Sequence, residues 1–430
     1  MKTNKRNCLK TGLSKLLTSA LVATGLILSS HVAAADDNTI NIGFISPRTG
    51  PLASFGKTDG FILEQARKAL EDGMTIQGKH YKINILDRDS QSDPARAGQL
   101  AKELINQGVD LMLAVSTPEV INPVADAGEA AGVPTLSTVM PWEAWYYGRG
   151  AKPGEPSPFK WTYHFGFGTD EFYRAYMSQW SLLDTNKKLG VMYPNDADGS
   201  AIRRALVPRF KEAGYTVIDP GAYETGTTDF SSQIAKFKAE KVEIINTFPI
   251  PPDFAAFWRQ AAQQGLNRQV KIIQVAKTGL FPADIEVLGS LGLKIASAAY
   301  WHKSFPYTST LTGQNGTQLA DLWEQETGEQ WTQQLGATLS LLDAATEALK
   351  RAKNPKSHAD IRDAIATLNV TTIGGKVDFT SGPVPNVSPG PILGAQWVKG
   401  TGKHKLDYVI TENATDTNVP VSHKLLPYNR

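Results

Sequence analysis

The chain has 430 residues, 41% of them hydrophobic and 20% charged, with 37 glycines and 25 prolines, which excludes a disordered chain, a collagen-like fibre and a polytopic membrane protein. The formal charge is +2, but the first 35 residues hold five basic side chains and no acid, so the remainder carries 39 basic against 42 acidic residues and suits no nucleic-acid partner. Cys8 is the single cysteine, which excludes a disulfide scaffold and a cysteine metal site.

Residues 1–35 read as a secretory leader. Lys2, Lys5, Arg6, Lys10 and Lys15 precede the apolar run Leu16 to Ser30, and Ala33, Ala34 and Ala35 supply small residues for cleavage. The run is short of the roughly 20 residues that a spanning helix needs. Export predicts a periplasmic or secreted mature chain, with no stable membrane insertion after cleavage.

From Thr39 the chain alternates strand and helix. TINIGFIS (39–46), YKINILDR (81–88), VDLMLAV (109–115) and VPTLS (133–137) read as strands, with helices over 55–71, 94–107 (Asp93 as cap) and 118–131 between them. A loop rich in Pro, Gly and aromatics, 139–160, breaks the rhythm. Strands resume at 189–193, 215–218, 242–248 and 270–276, with helices at about 199–213, 230–240 and 252–264. A returning strand from Leu293, helices near 315–327 and 334–352, a Gly/Pro-rich stretch over 373–394 and a last strand at 396–399 complete the chain. This order predicts an α/β protein of two similar lobes, each a parallel sheet with crossover helices.

Catalytic and cofactor signatures are absent. Gly50 to Thr58 resembles a phosphate loop but has five residues between its glycines where four are needed. There is no G-x-S-x-G or H-E-x-x-H, and the six histidines after residue 35 are scattered. No enzyme, cofactor or metal site is expected.

In parallel α/β sheets, ligands bind beyond the carboxyl ends of the strands. The candidates there are Phe55 after the first strand, then Ser116, Thr117 and Pro118, then Ser137, Thr138 and Trp142 in the first half. In the second half they are Asp198, Pro249, Lys277 and Trp301. Ser116 and Thr117 fit a helix cap and an acceptor-rich ligand equally well, since a helix start offers free N–H groups. Trp142, Trp145, Tyr146 and Tyr147 crowd one segment, which predicts an aromatic ligand wall.

Four segments resemble the periplasmic solute-binding proteins of ABC importers, of the leucine/isoleucine/valine-binding type: INIGFISPRTGPLASFG, GVDLMLAVSTPEVINPVADAGEAAGVPTLST, TTDFSSQIAKFKAEKVEIINTFP and LGATLSLLDAATEAL. The resemblance spans nearly all of 38–400. It implies a type I periplasmic binding protein fold: two Rossmann-like lobes joined by three hinge crossovers, near Trp161 to Phe165, Leu293 to Ala299 and Ile373 to Asp378. The lobes implied are 36–162 with 296–373, and 163–295 with 374–430. It further implies a monomer that binds a small organic solute (amino acid-like, an amide or an aromatic or apolar carboxylate) between the lobes and delivers it to membrane permease subunits. Matched to the family's ligand loops are Ser116 and Thr117, then Ser137, Thr138 and the start of the Trp142 stretch. Two positions depart from the pattern: Asp198 stands where the family has a tyrosine before glycine, and Lys277 stands near the place of the acid that holds an amino acid's ammonium. A lysine there favours a ligand without an essential ammonium. A ligand sensor on the same scaffold and, less favoured, a secreted hydrolase are the other readings.

Overall fold

The computed structural model describes residues 38–429, and the leader expected over 1–35 lies outside them. In chain order the first elements are β1 (Thr39–Ser46), α1 (Asp59–Ala69), β2 (Met74–Ile76), β3 (Lys79–Asp89), α2 (Pro94–Asn106), β4 (Leu111–Val115), α3 (Pro118–Ala131), β5 (Thr135–Thr138), α4 (Trp142–Tyr146) and β6 (Thr162–Gly166). Next come α5 (Thr169–Trp180), β7 (Lys188–Met192), α6 (Ala197–Glu212), β8 (Thr216–Ile218), α7 (Ser231–Ala239), β9 (Ile244–Thr247), α8 (Pro251–Gln263), β10 (Ile272–Val275), α9 (Pro282–Glu286) and β11 (Ala296–Ala299). The chain ends with α10 (Gly316–Thr327), α11 (Gln333–Arg351), α12 (His358–Ala366), β12 (Asn369–Thr372), β13 (Gly375–Asp378), β14 (Val387–Pro389), β15 (Leu393–Lys399) and β16 (Leu406–Glu412).

Two seven-stranded sheets result, in the orders β14-β6-β5-β4-β1-β3-β2 and β16-β15-β11-β10-β9-β7-β8. The central strands run parallel, and only the β2–β3, β11–β15 and β15–β16 pairs within them are antiparallel. Parallel strands covered by helices on both faces must be apolar throughout, and β4 (LMLAV) is buried at every position. The helix starts follow local chemistry: Asp93 caps α2 by accepting from the Arg96 N–H at 2.6 Å, and Pro118, which has no N–H to leave unpaired, begins α3.

Three crossovers join the lobes, each displaced from its expected place. Thr162–Gly166 is itself a strand, so the first crossing falls at Phe167 and Gly168. Ala296–Ala299 completes β11 before the chain leaves the second sheet at Tyr300 and Trp301. The third shift is the largest. The Ile373 to Asp378 stretch lies in the β12–β13 hairpin, and β14 still pairs with β6, so the chain crosses over Gly390 to Ile392. The segment 139–160, expected as loop, contains α4. No helix among the described residues is long and apolar enough to cross a membrane.

Candidate functional site

The carboxyl ends of both sheets face one cavity. Phe55, Thr117, Val139 and Pro141 come from the first lobe, beyond β1, β4 and β5. Phe172, Asp198, Phe248, Lys277 and Leu280 come from the second, on α5 and beyond β7, β9 and β10. Each crossover adds one residue: Phe167, Tyr300 and Ile392. The wall is therefore aromatic and apolar, with polarity concentrated at Thr117, Asp198 and Lys277.

Backbone strain gathers at the rim. Ser116 has φ +132°, Val139 +83° and Lys277 +48°. All three immediately follow or nearly follow a strand end. A β-branched residue at positive φ is a genuine outlier, and such positions cost about 1–3 kcal/mol each unless the surroundings hold them.

The polar end is an ion cluster. Lys277 Nζ lies 2.9 Å from Asp196 Oδ2 and 3.0 Å from Asp198 Oδ2. Asp196 also caps α6, its Oδ1 accepting from the Gly199 N–H at 2.6 Å. Burial alone would depress the lysine, but Asp198 and Asp196 outweigh it and hold the ammonium well above the ordinary lysine range. Burial pushes Asp198 up to about 7 against the pull of Lys277, with Asp196 and the Glu119 carboxylate of the first lobe adding to the rise. Lys277 is thus ion-paired on both sides and is not a free cation at the cleft.

Other polar atoms at this end have no partner. Ser116 Oγ, Thr117 Oγ1, Glu119 Oε2, Asp198 Oδ1 and Tyr300 Oη are buried without a hydrogen bond among the described residues. Thr117 occupies the cap position of α3 without a side-chain capping bond, so its hydroxyl is not consumed by the helix. Buried polar groups are ordinarily paired, and of these Thr117, Asp198 and Tyr300 line the cavity.

The sequence-derived candidates divide. Phe55, Thr117, Asp198 and Lys277 line the cavity. Ser116 is fully buried beside Thr117, and Pro118 is buried as the first residue of α3. Pro249 is buried in the turn after β9, where its carbonyl accepts from the Thr278 hydroxyl at 2.8 Å. Thr138 and Trp301 face a second cavity, lined in part by residues of the crossovers. Trp301 also donates through Nε1 to the Ile373 carbonyl at 3.1 Å.

Ser137 and Trp142 have other work. His164 is buried, and its Nε2 faces the Met140 carbonyl at 3.0 Å, which can only accept, so Nδ1 accepts from the Ser137 hydroxyl at 2.9 Å. Burial holds this imidazole down to about 3, in keeping with the neutral form. Trp142 is half-buried against the first crossover: its N–H donates to the Phe167 carbonyl at 3.0 Å, and a Cβ on Gly168 would lie 2.1 Å from its indole nitrogen. Its neighbours form a packed cluster instead of a ligand wall. Trp145 is fully buried and stacked on His164 at 5.6 Å, and the Arg149 guanidinium lies 4.8 Å from the Trp145 ring and 4.1 Å from Phe159.

The wall residues that sequence reasoning missed are Val139, Phe167, Phe172, Phe248, Ala276, Leu280, Ala298 and Ile392. Phe248 directly precedes Pro249 at a strand end, so strand-end position was a usable signal for it. Phe172 lies on a helix face and Ile392 in a crossing misplaced by the sequence, and neither carries a local signal.

Residues 39–400 match the family described as "Periplasmic binding protein". Among curated relatives, a Leu/Ile/Val/Thr-binding protein of Salmonella typhimurium is 23% identical over 256 residues, 59% of this chain and 66% of that protein, just under two thirds of its length. A Leu/Ile/Val-binding protein homolog 4 of Brucella melitensis is 24% identical over 376 residues, covering 85% of this chain and 86% of the relative. Solved structures with the same fold include the branched-chain amino acid substrate-binding protein LivJ of Streptococcus pneumoniae in complex with isoleucine (TM-score 0.67, 17% identity, 87% of this chain and 99% of that one). Another is a solute-binding protein of an ABC transporter from Rhodopseudomonas palustris BisB5 with 3,4-dihydroxybenzoic acid (TM-score 0.69, 19% identity, 88% and 98% covered).

Proposed function

Because the chain belongs to the periplasmic binding protein family, we propose that it is the extracytoplasmic solute-binding component of an ABC importer, which closes on a small organic solute and hands it to membrane permease subunits. One observation carries this reading. A single cavity is walled by strand ends of both lobes and by a residue of each of the three crossovers, so a ligand there contacts everything that must move for the lobes to open. Affinity then comes from contacts made only in the closed arrangement. The relatives and structural neighbours above are named for branched-chain amino acids or were solved with isoleucine or an aromatic carboxylic acid, and the cavity here, walled by Phe55, Phe167, Phe172, Phe248 and Tyr300, suits a ligand with an apolar or aromatic body.

In this reading the protein acts as a monomer in the periplasm and turns nothing over. Among the described residues of its wall, the acid and the base, Asp198 and Lys277, are bound to each other, and no activated nucleophile stands beside them. The test is native mass spectrometry of protein purified without refolding, followed by calorimetry with the compound that co-purifies. One small molecule bound per chain, released unchanged, is the expected result. Chemical conversion of that compound would favour a hydrolase.

A further inference from the structure

We propose that the solute is a cation: an amine whose apolar body lies among the aromatic rings and whose ammonium sits between Asp198 of the second lobe and Glu119 of the first. This rests on the solute-binding reading above.

Around the polar end of the cavity, where Asp198 lines the wall, acids outnumber bases. Three carboxylates, Asp196, Asp198 and Glu119, act on one ammonium, Lys277. Asp196 is satisfied at both oxygens, by the Gly199 N–H and by Lys277. Asp198 and Glu119 are not: Asp198 Oδ1 and Glu119 Oε2 are buried and unpartnered among the described residues. Asp198 itself is only 3% exposed and lines the cavity. An ionised carboxylate can only accept, so the missing group is a donor, and a buried unpaired charge calls for a donor of opposite sign. An anionic head placed here would meet two like charges.

An ammonium fits the remaining geometry. It has three donors, two for the carboxylate oxygens and a third for the unpartnered Thr117 hydroxyl. The rings of Phe55, Phe167, Phe172, Phe248 and Tyr300 supply faces that attract a cation as well as an apolar body. Glu119 follows Pro118 on α3 and Asp198 lies on α6, so a single cation bridges the lobes and offsets a repulsion that closure otherwise creates.

The titration of Asp198 makes the binding pH-dependent. The groups facing it are Lys277 and Asp196 from its own lobe and Glu119 across the cleft. Asp253 and Tyr223 stand behind the cluster, near Lys277 and Asp196. Free, Asp198 holds its proton up to about 7. The ammonium binds the ionised form, so binding releases a proton, and affinity falls as pH drops below that value, by up to about tenfold per pH unit.

The test compares 2-phenylethylamine, 2-phenylethanol, 3-phenylpropionate and phenylalanine by calorimetry on the whole mature chain, cleared of any co-purified ligand. The amine should bind at least about tenfold tighter than the alcohol and the two carboxylates, a step of about 1.4 kcal/mol. Its affinity should rise between about pH 5 and pH 8 while that of the alcohol stays flat. Asp198→Asn should erase the amine's advantage over the alcohol, and Glu119→Gln should reduce it. The pH profile of the unaltered protein keeps the test decisive if either variant fails to fold. A carboxylate or alcohol that equals the amine, or an amine affinity indifferent to pH, overturns the cation and leaves the solute-binding function standing. If none of the four binds, the cation assignment also falls, and the function falls with it only when native mass spectrometry shows no bound small molecule.

Discussion

Two aromatic regions, one within the first lobe and one lining the cavity between the lobes, differ in kind. The stretch Trp142 to Tyr147 concentrates four large rings in six residues, yet Trp145 and Tyr146 are buried in a structural cluster with Phe159, His164 and Arg149. The cavity wall takes its rings singly: Phe55 after β1, Phe167 in the first crossover, Phe172 on α5, Phe248 after β9 and Tyr300 in the second crossover. Rings adjacent in sequence pack on one another and fill a local volume. A cleft that opens must instead draw its rings from elements that separate, so they are far apart in the chain.

The largest consequence concerns stability. Trp145 is fully buried, and its ring supports both the His164 imidazole and the Arg149 guanidinium, which in turn bonds Asp126 at 2.7 Å and Thr162 at 3.1 Å. Trp145→Ala should lower unfolding stability by about 3–5 kcal/mol, read by urea denaturation, through the cavity it leaves. The folded fraction should keep the ligand affinity of the unaltered protein. A near-neutral effect on stability would mean that this cluster is not structural.

The converse holds for the wall. Phe248 packs on Phe172 at 5.2 Å and Tyr193 at 5.7 Å and faces the cavity. Phe248→Ala should weaken binding of the co-purified ligand by about 1–3 kcal/mol, the worth of one buried aromatic contact. Calorimetry reads the loss, and unchanged affinity would remove Phe248 from the wall.

α4 also carries a titrating contact to the other lobe. Glu143 Oε1 accepts from the Thr169 N–H at 2.8 Å, at the start of α5, and burial pushes this carboxyl up to about 7 against the Thr169 bonds. The folded protein therefore holds a proton there that the unfolded chain has lost, and stability falls as pH rises from about 4.5 to about 7. Glu143→Gln removes this slope. Relative to the unaltered protein it should gain about 1–3 kcal/mol between pH 5 and pH 8, by denaturation at both values. An unchanged difference between the two proteins at the two pH values would show that Glu143 titrates normally.

Much of the fold was legible in the sequence because periodicity and caps are local. α3 runs from Pro118 to Ala131 as read, since proline opens it and Gly132, at φ +69°, closes it. β14 was not legible: three residues ending in proline carry no period, and only pairing with β6 makes them a strand. Losing β14 displaced the third crossover and hid Ile392. At the site, strand-end position pointed to Phe55, Thr117, Asp198 and Lys277, all of which reach the cavity. It could not show that Lys277 and Asp196, 81 residues apart, are ion-paired.

The smallest expected effect belongs to a residue that the sequence placed in an aromatic ligand wall. Trp142 touches the cleft only through the first crossover, where its indole stands against Gly168 and its N–H bonds the Phe167 carbonyl. Its other ring contacts are Tyr146 at 6.5 Å and Tyr147 at 5.8 Å, both within α4 or at its end. Trp142→Ala removes a support of Phe167 but no surface that the ligand meets, so affinity should change by less than about 1 kcal/mol, within about fivefold. The crossover should feel the loss instead, as faster amide exchange over 166–169 in the unliganded protein, because the Phe167 carbonyl keeps its bond while the glycine beside it loses its cover. A tenfold loss of affinity with exchange unchanged would return Trp142 to the wall and dissolve the distinction between clustered and dispersed rings.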